Sequence, residues 1–459
     1  MKKIVIYLAA FIVPPILITT LRGVSSVSDV MIHKAPKPLT MPVVTSTTGL
    51  KTASDSTQLR AIIVLGSSGT ELTDFMAPYE ILAESGGFEV STVAASRDLL
   101  QTTGAVNVLA DSTFSDAPVP DLLVIPAVLD PTEPALLAWI KLNAPKARLV
   151  LSLCEGARVA QNAGLTENKK MTSHFIALED LIANASTPKS GQIRGQNNGQ
   201  ASSTTTWIEG MRYVEDHNLI SSAGITASLD ATLYAVEKLK GAETAQLTAQ
   251  RLGYAWKQEM HPSEPISTAP LYTLHATDFL GLFLGAGLDL NHHPIGIVLY
   301  PGVSELALAA NLDTLPRTLS SRVFTISPER KIVKTQHGLQ LIASQSFADP
   351  DLPDFWIVPS GKGSAIPKEI RDSGIPIRDF SSQEPGRAFD QALEIVSTTQ
   401  GSSIARTVAK LMEYPIAPSN GELDSRTWIL IRNAILLGLA GVFVAWLLLK
   451  RNEIRVKVE

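Results

Sequence analysis

A single cysteine, Cys154, stands in a chain of 459 residues. One thiol excludes an intramolecular disulfide framework and any zinc site built on cysteines, so bridges carry no record of the redox compartment. A basic excess is also missing. The 39 Lys and Arg against 44 Asp and Glu leave a net charge of -5, with no electrostatic footprint for nucleic acid. Charge is sparse at 18%, whereas hydrophobic residues reach 45%, the balance of a folded interior rather than a disordered chain. Gly66-Ser-Ser-Gly69 lacks the Lys-Ser/Thr that would make it a nucleotide P-loop. Metal-ligand spacing is equally thin: His292-His293, beside Asn291 and Pro294, reads as a solvated turn. No cofactor and no metal are expected.

What is present starts with length. A chain of this size exceeds one ordinary core and implies two or three domains. Ile4–Leu21 is apolar apart from Tyr7 and two threonines and follows Lys2 and Lys3. It fits a signal peptide or an uncleaved anchor, and the lack of a small-x-small cleavage site favours the anchor. Trp428–Leu449 is apolar except for Arg432 and Asn433. Its uninterrupted part, Ala434–Leu449, spans about 24 Å as a helix, slightly short of the hydrocarbon core. A snorkelling Arg432 and an interfacial Trp428 would extend that reach. Lys450, Arg451, Arg455 and Lys457 follow and, with Lys2 and Lys3, put both termini in the cytoplasm by the positive-inside rule. A buried amphipathic helix is the alternative for this segment, but it has no polar face.

Between the ends, residues 22–58 are rich in Ser, Thr and Pro and read as a stalk. From Arg60 the pattern alternates: strands at Ala61–Leu65, Phe88–Ala94, Leu122–Ile125 and Ile220–Ser222, helices at 74–83, Leu136–Leu142, Leu229–Leu239 and Glu243–Met260. Such alternation predicts an α/β fold with a parallel sheet covered on both faces. The pattern then returns. Ile62-Ile-Val-Leu65 with Glu71-Leu72 comes back as Gly296-Ile-Val-Leu299 with Glu305-Leu306. Pro120-Asp-Leu-Leu-Val-Ile-Pro126 comes back as Pro353-Asp-Phe-Trp-Ile-Val-Pro359. Ser228-Leu-Asp230 with Gly241 and Tyr254 comes back as Ala388-Phe-Asp390 with Gly401 and Tyr414. Three matches in one order indicate a duplication. The spacing shrinks between the second and third, so the second copy is shortened, and the stretch carrying the cysteine is expected to be the one lost.

Cys154 ends the apolar run Leu149-Val-Leu-Ser-Leu, and Glu155-Gly156-Ala157 opens a helical pattern. A strand-to-helix elbow of this kind lifts a side chain out of the sheet and aims a helix N-terminus at it. The dipole then stabilises a thiolate and lowers the thiol pKa. The other reading is a small buried hydrophobe, the usual place of a free cysteine. Phe279–Leu288 is apolar but too short to span a bilayer, and is expected to pack between the copies.

Residues 61–258 resemble the ThiJ/PfpI family of the class I glutamine amidotransferase-like superfold, closest to its isonitrile hydratases and AraC-type sensor domains. The resemblance rests on Glu71-Leu-Thr-Asp74-Phe-Met-Ala-Pro78-Tyr-Glu80, on Pro120–Pro126, and on Cys154-Glu-Gly-Ala-Arg-Val-Ala-Gln-Asn-Ala-Gly164-Leu165. Met171-Thr-Ser-His174 and Ser222–Asp230 continue it. It implies a flavodoxin-like parallel sheet sandwiched by helices. It also implies Cys154 as elbow nucleophile and Asp74 as the acid that contacts the thiol. A carboxyl group there must be protonated to donate to a thiolate, or act as a base. As a helix N-cap, Asp74 would have a structural role instead, and Glu71 is the runner-up acid. On the same matching the second copy keeps Glu305 for Glu71 and has Leu308 for Asp74.

The chain departs from active relatives in two places. Glu155 stands where some carry a histidine base, and a negative charge there raises a thiol pKa. Ala127-Val128 replace glycines whose backbone N–H groups face an oxyanion, leaving the N–H groups of Ala127 and Glu155 for that task. His174 fills a position the family often gives to histidine, and a structural hydrogen bond is its expected role.

The expected map is an anchor at 1–21, the stalk at 22–58, a first domain at 59–260 and a linker at 261–293. A degenerate repeat at 294–416, a transmembrane helix at 428–449 and a cytoplasmic tail at 450–459 complete it. Partners are a small-molecule substrate or ligand and the lipid bilayer, but no nucleic acid. Family habit implies a homodimer, and the duplication implies an internal pseudo-dimer instead. Two functions follow: a cysteine-dependent hydrolase or hydratase, or a non-enzymatic ligand or redox sensor on the outer face of the membrane.

Overall fold

The computed structural model describes residues 5–18, 58–186, 205–256, 272, 274–288, 293–348, 351–363, 366–415 and 425–456. Apart from Gln58, the expected stalk lies outside the described residues, as does His292. The chain forms an α/β fold on a mostly parallel sheet. After helix α1 (Val5–Ile18) come β1 (Leu59–Val64), α2 (Leu72–Glu84), β2 (Phe88–Ala94), β3 (Leu100–Gln101), β4 (Val106–Leu109), β5 (Ser112–Thr113) and β6 (Leu122–Ile125). Then follow α3 (Pro134–Asn143), β7 (Leu149–Ser152), α4 (Gly156–Asn162), β8 (Lys170–Met171), α5 (Phe175–Ser186), β9 (Thr206–Trp207), β10 (Tyr213–Asp216), β11 (Leu219–Ser222), α6 (Ala227–Lys240) and α7 (Ala242–Leu252). The sheet order is β10-β11-β7-β6-β1-β2-β5, with only the edge pair β10–β11 antiparallel.

Strand parity divides the burial. Ala61, Ile63 and Leu65 face the side of α2 and α6, whereas Ile62, Val64, Leu123, Ile125 and Val150 pack with Leu136, Val159 and Leu181 on the other face. With both faces covered, the strands read as continuous apolar runs rather than alternating ones. The helix expected over Glu243–Met260 ends early. Gly253 takes a φ of +67° and its N–H bonds back to Ala249, a left-handed stop that only glycine adopts without strain.

The rest of the chain builds a smaller sheet. It comprises α8 (Ala276–Leu288), β12 (His293–Val298), α9 (Glu305–Thr314), β13 (Ser321–Ser327), β14 (Val333–Lys334), β15 (Gln340–Ala343), β16 (Gln345–Ser346) and β17 (Phe355–Val358). α10 (Lys368–Arg371), β18 (Ile377–Asp379), α11 (Ala388–Gln400), α12 (Ser402–Leu411) and α13 (Ser425–Val456) close it. The order is β16-β13-β12-β17-β18, all parallel. His293 opens β12 rather than sitting in a turn, and its Nδ1 is 2.8 Å from Asp354.

Hydrogen bonds place the two sheets in correspondence. Glu71 caps α2 by accepting from the Asp74 N–H, and Ser304 caps α9 by accepting from the Ala307 N–H. The Glu71 N–H reaches the Ala127 carbonyl, and the Ser304 N–H reaches the Ser360 carbonyl. Ser304 therefore stands for Glu71, Ala307 for Asp74 and Glu305 for Leu72, one residue away from the sequence matching. The expected loss of the elbow strand is also corrected. β18 lies on β17 as β7 lies on β6, and Phe380 bonds to Val358 as Leu153 bonds to Ile125. Ser381 thus stands where Cys154 does. The strand escapes the sequence pattern because Ile-Arg-Asp is short and exposed rather than apolar. What the smaller unit lacks lies after this turn: no counterparts of α4, α5, β10 and β11 occur among its described residues.

The units meet through α2 on α9 and through a four-stranded sheet, β14-β15-β4-β3. β4 and β15 pair antiparallel, Val106 opposite Ala343 and Leu109 opposite Gln340. Each unit offers the same strand to the other, the self-complementary arrangement of a two-fold interface. One apolar core, from Phe75 and Leu82 to Leu306 and Phe389, runs through both. α8 packs on α12 and α13, against the smaller unit and the C-terminal helix.

Candidate functional site

β2 lies on one side of β1 and β6 on the other, so the chain reverses direction between β1 and β6. The loops leaving the carboxyl ends of such strands diverge and open a crevice. Here they are stitched across its mouth: Glu71 donates to the Ala127 carbonyl at 2.9 Å and Leu129 to the Gly69 carbonyl at 3.0 Å. Asp74, on the first turn of α2, and Cys154, just past β7, come to this place.

Cys154 has φ +53°, a strained value for a non-glycine residue. The turn holds it there. The Cys154 N–H donates to Ser222 Oγ at 3.2 Å, and Gly156 donates to the Leu153 carbonyl at 2.7 Å. Gly156 is required by close approach, since a Cβ there would sit 2.2 Å from the Ile125 carbonyl oxygen. The elbow predicted from sequence is thus present, but its electrostatics differ. Burial pushes the Cys154 thiol well above its ordinary value, and the carboxylates of Asp74, Glu71 and Glu155 add to the rise. The seven-residue α4 does not offset that desolvation. The Ile225 backbone N–H opposes it.

Asp74 is fully buried. Its Oδ2 accepts from the Ala127 N–H at 3.1 Å, and its Oδ1 has no hydrogen-bond partner among the described residues. Burial raises its pKa to about 8, with Asp313 and Glu155 adding and Arg317 opposing. The carboxyl therefore favours its protonated form at neutral pH, which leaves it able to donate. The capping role belongs to Glu71, whose Oε2 takes the Asp74 N–H at 2.7 Å. Glu71 is also raised well above its ordinary value, by burial first and then by Asp313 and Asp74. The Ala127 N–H is occupied by Asp74 and is not free for an oxyanion. Val128 closes over Gly66, where an added Cβ would meet it at 2.9 Å.

Two sequence candidates lie off the thiol. Glu155 pairs with Arg158 at 3.0 Å, and Arg158 reaches on to Asp180. His174 is buried, with Nε2 3.1 Å from the Leu411 carbonyl of the smaller unit. It ties the two units together, as a structural hydrogen bond would.

The sequence reading missed Asp313 and Arg317, both delivered by the smaller unit. Asp313 Oδ2 accepts from the Thr73 N–H at 3.1 Å and from the Thr73 hydroxyl. Arg317 lies 3.5 Å from Glu71 and 3.7 Å from Asp313. Their spacing, i and i+4 on one helical turn, signals a shared face but not what that face meets.

The sequence profile of the DJ-1/PfpI family matches residues 60–238. Isonitrile hydratase of Pseudomonas putida is 32% identical over 203 residues, which cover 43% of this chain and 79% of that enzyme. An uncharacterized protein encoded in the cpoL 5' region of Streptomyces lividans is 32% identical over 124 residues, 25% of this chain and 86% of that protein. The solved structure of a ThiJ/PfpI family protein from Pseudomonas syringae is 21% identical with a TM-score of 0.38, covering 54% of this chain and 93% of that one.

Proposed function

We propose that this chain, which belongs to the DJ-1/PfpI family, is a membrane-anchored, cysteine-dependent hydratase or hydrolase acting on a small molecule with an electrophilic carbon. The observation that carries it is Cys154 held at positive φ in the same crevice as Asp74, a buried carboxyl that keeps its proton and has one oxygen free. The likeness to an isonitrile hydratase names the first substrate class to try. The Cys154 S–H adds across the isonitrile carbon: an S–C bond forms and the thiol proton passes through Asp74 to that carbon. Water then adds to the same carbon, the C–S bond breaks, an N-substituted formamide leaves and the proton returns to sulfur. A neutral thiol beside a neutral acid suits this addition, because no separated charge need be buried beforehand.

The second unit is read as a shortened copy of the first, and the chain as its own pseudo-dimer. The paired β4–β15 register and the matching caps of α2 and α9 support this. The membrane reading rests on Trp428–Lys450 of α13, a 23-residue apolar stretch that is mostly exposed. α1 approaches the backbone at Gly438 and Gly441 of that helix. At 14 residues it spans only about 21 Å. We read the main units as extracytoplasmic and both termini as cytoplasmic.

The test is formamide release from a panel of alkyl and aryl isonitriles by the full-length chain. Cys154→Ser should abolish it, and Asp74→Asn should slow it by about 10²–10⁴. A second reading, a ligand-binding scaffold, draws on the raised thiol pKa and on the occupied Ala127 N–H. Saturable isonitrile binding without turnover would install that reading in place of the enzyme. A monomer by light scattering supports the pseudo-dimer, and a homodimer through α2 refutes it.

A further inference from the structure

The α2–α9 interface has two poles related by the correspondence of Glu71 with Ser304. At one pole Asp313 takes the Thr73 N–H, and at the other Glu80 takes the Leu306 N–H at 2.6 Å. Counting from each cap, Arg317, in the short turn just after α9, corresponds to Glu84 of α2. The first pole thus carries its own cation, a guanidinium set against Glu71 and Asp313. The second pole collects three carboxylates, Glu80, Glu84 and Glu305. Among the described residues the His337 imidazole alone stands within it, with the exposed Lys362 ammonium 4.0 Å from Glu84.

The carboxylates at this second pole are held in a specific way. Glu80 is fully buried, and its Oε2 accepts from Ser304 Oγ at 2.7 Å as well as from Leu306. Its Oε1 has no hydrogen-bond partner among the described residues. Glu305, equally buried, has its Oε1 occupied by the His337 N–H at 2.9 Å and by the Thr335 hydroxyl. Its Oε2 is left toward His337 Nδ1 at 3.0 Å, and His337 Nε2 lies 3.3 Å from Glu84. Glu80 is therefore anchored through Oε2 with Oε1 unpartnered, and Glu305 is anchored through Oε1 with Oε2 set against His337 Nδ1. The imidazole presents Nδ1 inward and is oriented from behind by a carboxylate, the support that metal-ligating histidines usually have.

We propose that Glu80, Glu305 and His337 bind a divalent first-row transition cation that joins the two units. One donor atom from each lies within 4.8 Å of the other two. Zinc bonds of about 2.1 Å place ligands about 3.4 Å apart, so the widest pair needs to close by at most about 1.4 Å, while Glu305 Oε2 and His337 Nδ1, now 3.0 Å apart, need to part slightly. Two carboxylate oxygens and an imidazole nitrogen suit Zn²⁺ or Mn²⁺ better than a thiolate-seeking ion. The site is distant in role from Cys154 and does not depend on the activity proposed above.

The test titrates ZnCl₂ into the EDTA-treated full-length chain by calorimetry, followed by zinc-edge X-ray absorption. One equivalent is expected to bind with a Kd below about 1 μM and with a first shell of oxygen and nitrogen alone. Glu80→Gln and His337→Ala should each weaken it at least 100-fold, and Glu84→Gln by about 10- to 100-fold as an orienting partner. Cys154→Ser should leave it unchanged. Absence of stoichiometric binding, affinity indifferent to Glu80→Gln and His337→Ala, or a zinc–sulfur distance near 2.3 Å would overturn the site. If the variants fail to fold, the absorption spectrum of the unaltered chain decides by itself.

Discussion

The larger and smaller units share a strand order around β1 and β12, yet they differ most where the first is chemically equipped. At the elbow, one has Cys154 at φ +53° and the other Ser381; on the first helical turn, one has Asp74 and the other Ala307. The interface shows the opposite. α2 and α9 cap themselves alike, accept each other's backbone alike, and their neighbouring strands pair in a symmetric register. Packing surfaces of this kind are expensive to alter, because a buried polar group that loses its partner costs about 1–3 kcal/mol. The smaller unit therefore retains what folding needs and lacks what the chemistry needs.

The largest expected effect separates two equivalent aspartates. Asp230 and Tyr254 are joined by a 3.2 Å hydrogen bond, and Asp390 and Tyr414 by one of 2.6 Å. Only Asp230 is sealed in, paired at 2.5 Å with Arg212, which also donates to the Glu413 carbonyl. Asp390 meets Arg387 at 3.9 Å on the surface. Arg212→Met should cost about 3–5 kcal/mol by leaving a buried charge uncompensated, whereas Arg387→Met should cost less than about 1 kcal/mol. Urea unfolding of both variants measures the difference. Equal losses would mean that the smaller unit is as tightly built at this point as the larger.

Next comes the turn. Gly156 and Gln383 close it with the same hydrogen bond, to Leu153 and to Phe380. Only Gly156 presses against backbone, so Gly156→Ala should cost about 2–3 kcal/mol and blunt Cys154 alkylation. Gln383→Ala should be nearly silent. If Gly156→Ala is silent too, the close approach to Ile125 does not hold the elbow.

Much of this architecture was legible in the chain. Phe88–Ala94 and Leu122–Ile125 coincide with β2 and β6 because buried parallel strands form continuous apolar runs. The elbow was legible for the same reason, as an apolar run ending at Cys154 and Gly156. Three things were not. β18 is short and polar. The one-residue shift that pairs Glu71 with Ser304 is visible only through hydrogen bonds, since Glu-Leu recurs in the sequence by a different register. Asp313, Arg317 and the Glu80–Glu305–His337 group join residues far apart in the chain, and no local periodicity encodes such meetings.

The next comparison concerns pH. The Asp74 carboxyl holds its proton to about pH 8 in the folded chain and loses it near 3.8 in the unfolded one. Between those values the unfolded state binds fewer protons, so stability falls as pH rises, by up to about 1.4 kcal/mol per pH unit, and levels off above 8. Asp74→Asn should remove that slope and leave the chain flatter in melting temperature between pH 5 and 8. Ala307 offers no titrating group at the matching place, so Ala307→Ser should leave the profile unaltered. A profile insensitive to Asp74→Asn would place the proton elsewhere in the cluster, with Glu71 next in line.

The smallest effect asks whether the smaller unit acts on the larger one's site at all. Arg317 lowers the pKa of both Asp74 and Glu71, and it reaches them across the α2–α9 interface. Arg317→Met keeps the length of the side chain and removes the charge. Both carboxyl groups should then hold their protons to higher pH, so the midpoint at which the Asp74-dependent fall in stability levels off should move upward, by less than one unit because Arg317 is partly exposed. Stability should fall by only about 0.5–1 kcal/mol. The direction is the decisive feature: loss of a cation near acids can only favour their neutral forms. A midpoint that moves upward makes the smaller unit part of the site's electrostatics. A midpoint that stays fixed, with the chain still folded, confines its contribution to packing, and the two units would then differ in function as completely as Cys154 differs from Ser381.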